Sequence, residues 1–273
     1  MTTAGSQYRD VTACETFADI PGGFLEGEKV KILALDSSGL VASVALAEDD
    51  NLIAEYTVQY KKTHSQTLLP MLQEIARMVE LNLSTVDAIA VAAGPGSFTG
   101  LRIGSATAKG LAFALEKPVI PVPTVDGLAF QMYGAKDLVC PIMDARRSQV
   151  YTGIYEFVPD QSGQFTYDMR VIRKQCAMSF DEIAQALNEL DRSVIFLGDG
   201  VPVFRERMEQ VMCVPYTEAP LHRARQSAAA LAMLGRLYYE QGKTVDGAAF
   251  VPEYLRLSQA ERERAEKERE ESL

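Results

Sequence analysis

Apolar residues along this chain form short continuous runs that alternate with longer segments in which they recur every three or four positions. From residue 30 onward this pattern predicts three strands, a helix, a strand, a helix, a strand and a helix, at residues 30–36, 40–47, 52–60, 65–81, 86–92, 100–116, 119–122 and 124–133. Short polar connections between the first three runs predict an antiparallel meander. The alternation of strands and helices that follows predicts an α/β fold.

The same order of elements returns in the second half of the chain. Residues 138–143, 149–158, 167–174, 179–190, 194–197 and 203–211 repeat the order strand, strand, strand, helix, strand, helix. An aspartate ends the first strand of each half, Asp36 and Asp144, and a glycine turn follows at Gly94 and Gly198. Because both element order and turn positions recur, the sequence predicts two duplicated β-β-β-α-β-α lobes.

We therefore divide the chain into four segments. Residues 30–136 form the first lobe, and residues 137–257 form the second, whose apolar helix at 227–241 is long enough to close back on the first. Residues 1–29 show no sustained period, so we expect a poorly ordered N-terminal extension. Residues 258–273 contain good helix formers but no apolar face, so we expect a solvated charged tail.

A glycine-proline-glycine turn between a predicted strand and helix is the most distinctive local feature. Glycine permits backbone torsions and close approaches that a Cβ would block, and Ser97 or Thr99 can cap the helix that follows. Such a turn also places free N–H groups where an anion could bind. Two interpretations stay open: a purely structural turn, or a phosphate site formed by Asp36, Ser37, Gly94, Gly96 and Ser97.

Two helices of the first lobe have features that predict a contact with another chain. The helix at 65–81 is apolar over more of its circumference than a surface helix requires, and the helix at 100–116 has small residues every four positions on one ridge. The alternative is that both pack only on their own sheet. The candidate partner-binding residues are Leu68, Leu69, Leu72, Ile75, Met78, Val79, Gly100, Gly104, Ala108 and Ala112.

The net charge of the chain argues against a protein that binds nucleic acid without a partner. The 273 residues carry a formal net charge of −10, and no cluster of Lys and Arg stands clear of acidic neighbours. A direct RNA contact therefore remains a secondary alternative. The arginines that would carry it are Arg146, Arg147, Arg223, Arg225 and Arg256.

Cysteine usage and hydropathy indicate the compartment. Four cysteines are scattered without a CxxC pair, which is typical of reduced thiols in a cytosolic protein. No basic start followed by an apolar run marks a secretory signal, and no apolar run approaches the length of a membrane span. We expect a soluble cytoplasmic protein.

Five motifs together resemble a known family. They are ILALDSS at 32–38, HSQTLLP at 64–70, AGPGSFTGLRIG at 93–104, MDARRSQVY at 143–151 and YLR at 254–256. With the duplicated lobes, they resemble the actin-like ATPase superfamily (ASKHA, with its ribonuclease H-like lobes), and within it the TsaB (YeaZ) family. Gln66 stands where that family usually has glutamate. The resemblance covers about 30–256 and says nothing about either terminal segment.

The resemblance implies an accessory subunit without catalytic residues. It implies a heterodimer with a TsaD-like paralogue through the helices at 65–81 and 100–116, in the modification of tRNA to threonylcarbamoyladenosine next to the anticodon. A TsaE-like ATPase is implied as a third component, with tRNA met only through the complex. Alone, the same helices are expected to form a homodimer.

Two enzymatic alternatives are weaker. The TsaD relatives bind a metal through two histidines four residues apart. Here the residue four positions after His64 is Leu68, and the other histidine, His222, lies in an unrelated segment. One imidazole does not make a metal site, so we expect none. An ATP-dependent small-molecule phosphotransferase of the same superfamily remains the alternative function, with Asp36 positioning a magnesium–phosphate group. We expect no required cofactor, while weak binding of ATP or ADP stays open.

Overall fold

The computed structural model describes residues 29–60, 63–161 and 166–256. The predictions for the N-terminal extension up to residue 28 and for the tail at 258–273 lie outside these ranges. The first lobe contains strands β1 (Lys31–Asp36), β2 (Ala42–Glu48), β3 (Asn51–Val58), β4 (Ala88–Ala92) and β5 (Val119–Val122), and helices α1 (His64–Met78), α2 (Phe98–Leu115) and α3 (Thr124–Phe130). Its strands lie in the order β3-β2-β1-β4-β5.

The second lobe has the same plan. It contains strands β6 (Leu138–Asp144), β7 (Gln149–Pro159), β8 (Tyr167–Ser179), β9 (Val194–Leu197) and β10 (Tyr216–Glu218), and helices α4 (Phe180–Leu190), α5 (Val201–Val211) and α6 (Ala228–Glu240). Its strands lie in the order β10-β9-β6-β7-β8. In both sheets the first strand pairs antiparallel with the second and parallel with the fourth.

The predicted duplication is therefore present in topology and in detail. Gly94 follows β4 with φ +110°, and Gly198 follows β9 with φ +109°, so these two glycines share the same positive φ. This repeated strand order is that of the actin-like ATPase fold, which confirms the predicted fold class.

Helix caps show where local sequence determined structure and where it did not. Ser97 accepts a hydrogen bond from the N–H of Gly100 at 3.3 Å, and Ser179 forms a full capping box with Glu182. The Thr-x-x-Gln spacing of residues 63–66 is typical of a capping box, but no such box forms before α1. The Thr63 side chain makes no cap hydrogen bond and instead pairs its hydroxyl with that of Ser65 at 3.0 Å.

Some predicted boundaries also move. Helix α1 ends at Met78 rather than 81, because Glu80 adopts a left-handed φ of +49°. Strand β8 continues to Ser179, where pairing with β7 sustains it beyond the apolar run. Strand β10 was not predicted, since its three residues form a strand only by pairing with β9.

The core is arranged in layers. Leu33 and Leu35 of β1 face α1 and α2, while Ile32 and Ala34 face α6 on the opposite side of the first sheet. Helices α3 and α6 share one buried cluster with residues of both sheets, so this cluster joins the lobes. Helices α4 and α5 cover the outer face of the second sheet.

The chain then returns across the molecule as a strap, residues 244–256. Val245 pairs with Val119 of β5, and the N–H of Glu253 donates to the carbonyl of Ala93 at 2.7 Å. The strap therefore runs along the glycine turn of the first lobe. Within the described ranges, none of the helices combines the length and apolar composition that a bilayer crossing requires.

Candidate functional site

The glycine turn packs tightly on the turn that follows β1. A Cβ on Gly100 would overlap the carbonyl oxygen of Ser37, and one on Gly96 would overlap that of Ser38. The N–H of Ser97 donates to the Ser38 carbonyl at 2.7 Å, and the Ser37 hydroxyl donates to the Gly100 carbonyl at 2.9 Å. The glycines thus permit a close contact between two turns of the same lobe.

Asp36 is occupied within its own turn. Its carboxylate accepts hydrogen bonds from the N–H and hydroxyl of Ser38, at 2.9 and 2.6 Å. Burial raises the pKa of this carboxyl, although the two Ser38 hydrogen bonds act in the opposite direction. An aspartate this enclosed, 3% exposed, is poorly placed to hold a solvated metal ion.

The amides that an anion would need are also engaged. The N–H of Gly94 lies 3.1 Å from the Thr124 hydroxyl oxygen, while the strap carbonyl of Glu253 lies where a Cβ on Gly94 would be. Gln175 donates both to the Gly94 carbonyl at 3.1 Å and to the Glu253 carboxylate at 2.8 Å. Asp36, Ser37, Gly94, Gly96 and Ser97 do lie together, but their contacts favour the structural interpretation of the turn over the phosphate interpretation.

The equivalent turns of the second lobe are acidic and self-contained. Asp199 accepts a hydrogen bond from the N–H of Asp144 at 3.1 Å, and Asp144 accepts one from the N–H of Arg146 at 2.8 Å. Burial raises the pKa of Asp199. Negatively charged carboxylates at these turns would repel a phosphate bound directly against them.

His64 has a structural contact. Its Nε2 lies 2.9 Å from the carbonyl oxygen of Gly39, and Leu68, one turn later, is 1% exposed in the core. In the part of the chain that the structure describes, no three His, Cys, Asp or Glu side chains are grouped to hold a metal ion.

The five arginines considered for RNA contact fall into two groups. Arg223, Arg225 and Arg256 each donate to backbone carbonyls, those of Gln131, Gly198 and Ala145 respectively. These three hold loops of their own chain. Arg146 and Arg147 are exposed at the tip of the turn between β6 and β7.

Most of the predicted partner-binding residues are used inside the chain, which corrects their assignment. Leu68, Leu72 and Ile75 pack in the core under α1. The small-residue ridge of α2 is buried as well, because its inner face lies on the Ser37 turn and the first sheet. The buried residues of that ridge are Gly100, Gly104, Ala108 and Ala112.

A different surface of the same two helices is exposed and apolar. Leu69 and Met78 of α1 are 48% and 68% exposed, Val79 is partly buried, and Phe113 of α2 is 88% exposed. On α2, Ala106 and Gly110 lie on the exposed side, and a Cβ added at Gly110 would meet nothing within 4 Å. Leu69 and Met78, nine residues apart, lie on opposite sides of the buried stripe of α1. We use the name outer helix face for the exposed apolar positions of the two helices, which are Leu69, Met78, Ala106, Gly110 and Phe113. Sequence analysis missed its α2 members because the inner ridge has the same small residues.

Known proteins share both the sequence and the fold. Residues 51–264 match the family model described as TsaD, tRNA N6-adenosine threonylcarbamoyltransferase. The tRNA threonylcarbamoyladenosine biosynthesis protein TsaB of Bacillus subtilis is 35% identical over 84% of this chain and 96% of its own length. The chain belongs to the TsaB family.

Other members of the TsaB family agree with this assignment. TsaB of Haemophilus influenzae is 32% identical over 84% of this chain and 94% of its own length. The solved structure of YeaZ from Pseudomonas aeruginosa has a TM-score of 0.69 at 31% identity, covering 83% of this chain and all of that one. The sequence resemblance to the TsaB (YeaZ) family is thereby confirmed.

Proposed function

We propose that this chain is a non-catalytic accessory subunit that binds a TsaD-like threonylcarbamoyltransferase in tRNA threonylcarbamoyladenosine biosynthesis. The observation that carries the proposal is the outer helix face. Phe113, at 88% exposed, and Met78, at 68%, leave large apolar side chains in water on adjacent helices. Apolar surface of this kind marks an interaction site when it is contiguous.

The small residues on the exposed side of α2 indicate what fits there. Ala106 and Gly110 leave little side-chain bulk on the exposed side of α2, so another helix can approach α2 closely and pack on it. The transferase family model itself matches this chain across α1 and α2. A transferase with a similar helix pair would present a similar face, and two such faces can pair about an approximate twofold axis.

The same reasoning supports self-association in the absence of the transferase. Two copies of the outer helix face are identical, so a homodimer would bury the same apolar side chains. The heterodimer and the homodimer are then mutually exclusive. We further propose, on the family resemblance, that a TsaE-like ATPase joins the heterodimer, that tRNA modification takes place on the transferase, and that the complex is cytoplasmic.

The site geometry supports an accessory role over a phosphotransferase. Asp36 is enclosed by Ser38, and the N–H groups of Gly94 and Ser97 face hydrogen-bond acceptors of their own lobe. An active phosphotransferase needs these groups free for nucleotide and metal. Titration with ATP and Mg²⁺ by calorimetry tests the alternative directly, because a phosphotransferase would show micromolar to millimolar binding and turnover.

Light scattering behind a sizing column tests the interface. The wild-type chain, Phe113→Glu and Met78→Glu are each run alone and with an equimolar TsaD-like partner. Removing one central aromatic anchor is expected to weaken association by about 2 kcal/mol or more, roughly 30-fold in Kd. The control is Val203→Glu on α5, which is 58% exposed but lies outside the outer helix face.

Exposed positions are required for this experiment. A glutamate at Leu72, which is 4% exposed, would test folding rather than association. A 1:1 heterodimer that is lost in Phe113→Glu and Met78→Glu but kept in Val203→Glu would support the proposal. A heterodimer that survives both changes would contradict the assignment of the outer helix face, and no heterodimer with the wild-type chain would contradict the accessory role.

A further inference from the structure

A row of side chains crosses from the first lobe to the second beside the glycine turn. The guanidinium carbon of Arg102 lies 4.2 Å from the ring centroid of Phe98, both on α2. The Phe98 ring lies 5.0 Å from the ring of Tyr254 in the strap, with 44° between their planes. Arg102 is exposed, Phe98 is partly exposed and Tyr254 is 39% exposed. The result is an exposed cation over a partly exposed ring, with a second, more exposed ring beside it.

The row continues through the strap into the second lobe. Arg256, two residues after Tyr254, donates to the carbonyl of Ala145 and, at 3.3 Å, to that of Arg146. These bonds hold the turn on which Arg146 and Arg147 project into solvent. We call Arg102, Phe98, Tyr254, Arg256, Arg146 and Arg147 the aromatic–arginine strip.

The turn itself has an unusual backbone. Arg146, Arg147 and Ser148 have φ values of +64°, +55° and +57°, three successive non-glycine residues in the left-handed region. Each such residue costs about 1–2 kcal/mol relative to the right-handed form. Strain of this size persists where neighbouring contacts impose it, and here the Arg256 clamp supplies such contacts. The turn is thus held in a form that directs two arginines outward.

Two arginines of the strip, Arg146 and Arg147, carry positive charge that is exposed to solvent. Among the described residues Arg147 has no ion-pair partner, and Arg146 has one distant contact with Asp144, 3.9 Å between charged atoms, with 85% of its side chain exposed. The neighbouring carboxylates already accept hydrogen bonds. Asp144 accepts from the N–H of Arg146, and Glu253 accepts from Gln175. The exposed guanidinium groups of Arg146 and Arg147 give this turn local positive charge, although the net charge of the chain is −10.

We propose that the aromatic–arginine strip binds single-stranded RNA. Exposed aromatic rings provide faces on which unpaired bases stack, and arginines beside them contact the phosphates that follow. A duplex has its bases stacked already and offers only its backbone, so the rings would contribute nothing to duplex binding. That the RNA is the tRNA of threonylcarbamoyladenosine biosynthesis rests on the proposed function; the binding of single strands does not.

The position of the strip is consistent with a shared substrate. Arg102 lies on the exposed side of α2, as do Ala106 and Gly110 of the outer helix face. An RNA segment on the strip would therefore run toward the subunit docked there. This chain would hold a loop of the substrate while the partner acts on it.

Fluorescence anisotropy with a labelled, unstructured RNA of about 15 nucleotides tests the proposal. The full chain is measured alone as wild type, as Arg146→Gln/Arg147→Gln, and as Arg205→Gln/Arg207→Gln. The last pair removes the same charge from α5, outside the strip. Loss of two phosphate contacts makes the slope of log Kobs against log salt shallower by about 1.4, and weakens binding about 25-fold at about 0.1 M salt.

A second pair of variants tests stacking apart from charge. Tyr254→Leu removes the exposed ring and is expected to weaken binding about fivefold or more, whereas Tyr254→Phe keeps the ring and the affinity. A paired RNA of the same length is expected to bind more weakly than the single strand.

Each outcome supports or contradicts the binding of single-stranded RNA by the aromatic–arginine strip. Selective loss in Arg146→Gln/Arg147→Gln and Tyr254→Leu supports it. No wild-type binding at about 25 mM salt, equal loss in the α5 control, or preference for the duplex overturns it. The strip variants are also run on the sizing column with the TsaD-like partner, where they are expected to keep the heterodimer. Absence of the heterodimer with the wild-type chain would overturn the proposed function and leave the RNA measurement on the isolated chain intact.

Discussion

Asp126 is a buried carboxyl between the two sheets, and its protonation should control much of the pH dependence of stability. It lies on α3, and its carboxylate accepts hydrogen bonds from Tyr155 of β7 at 2.6 Å and Tyr238 of α6 at 3.3 Å. Burial raises the pKa of Asp126 to about 6 from its ordinary 3.8, although both tyrosines lower it. The folded state therefore holds this proton more tightly than the unfolded chain does.

The sign and magnitude follow from this shift. Below about pH 4 the carboxyl is protonated in both states, and stability is not reduced. As pH rises from about 4 to about 6 the unfolded chain loses the proton first, so the folded state becomes less stable. A shift of about two pH units corresponds to a loss of about 3 kcal/mol by neutral pH.

Asp126→Asn replaces the carboxyl with a neutral group of the same shape. Its amide oxygen can still accept from Tyr155, and its NH₂ group can donate to the Tyr238 oxygen. We expect the variant to match the wild type near pH 4 and to be more stable by about 2–3 kcal/mol near pH 8. Urea unfolding followed by circular dichroism, at a series of pH values, measures this difference.

Glu189→Gln is the control, since Glu189 lies exposed on α4 and its unfolding curves should follow the wild type at every pH. A free-energy difference between Asp126→Asn and wild type that does not change with pH would refute the reasoning. So would a variant that is less stable than the wild type near pH 8.

Two further predictions concern stability and share the same urea assay. Glu55→Gln should lower the free energy of unfolding by about 1 kcal/mol, because the Glu55 carboxylate accepts hydrogen bonds from the Ser227 hydroxyl and the Ala229 N–H at the start of α6. An unchanged midpoint of the urea unfolding curve would contradict this. Gly100→Ala should lower the free energy of unfolding by about 1–3 kcal/mol, because the added Cβ would overlap the Ser37 carbonyl, whereas Gly110→Ala should raise it by about 1 kcal/mol. Equal effects at the two glycines would contradict the assignment of inner and outer ridges.

The sequence by itself determined the architecture. Continuous apolar runs, helical periodicity and the recurrence of Asp36 and Gly94 at Asp144 and Gly198 are local signals, and each survives in the fold as a strand, a helix or a turn. Strand β10 escaped detection because three residues carry no period, and only pairing with β9 makes them a strand.

The tertiary structure alone decided which surfaces are free. Helix α2 has small residues on two sides. Gly100, Gly104, Ala108 and Ala112 face inward, whereas Ala106 and Gly110 face outward, and composition does not distinguish the two sets. Packing on the Ser37 turn selects the inner ridge, because only that ridge permits the close backbone contact.

The same holds for the charged groups. Five arginines look alike in sequence, yet three of them donate to backbone carbonyls and two project into solvent. Asp126 carries no motif at all. Its shifted pKa arises because strands and helices distant in sequence exclude water around it, and burial of this kind is a property of the assembled layers rather than of any segment.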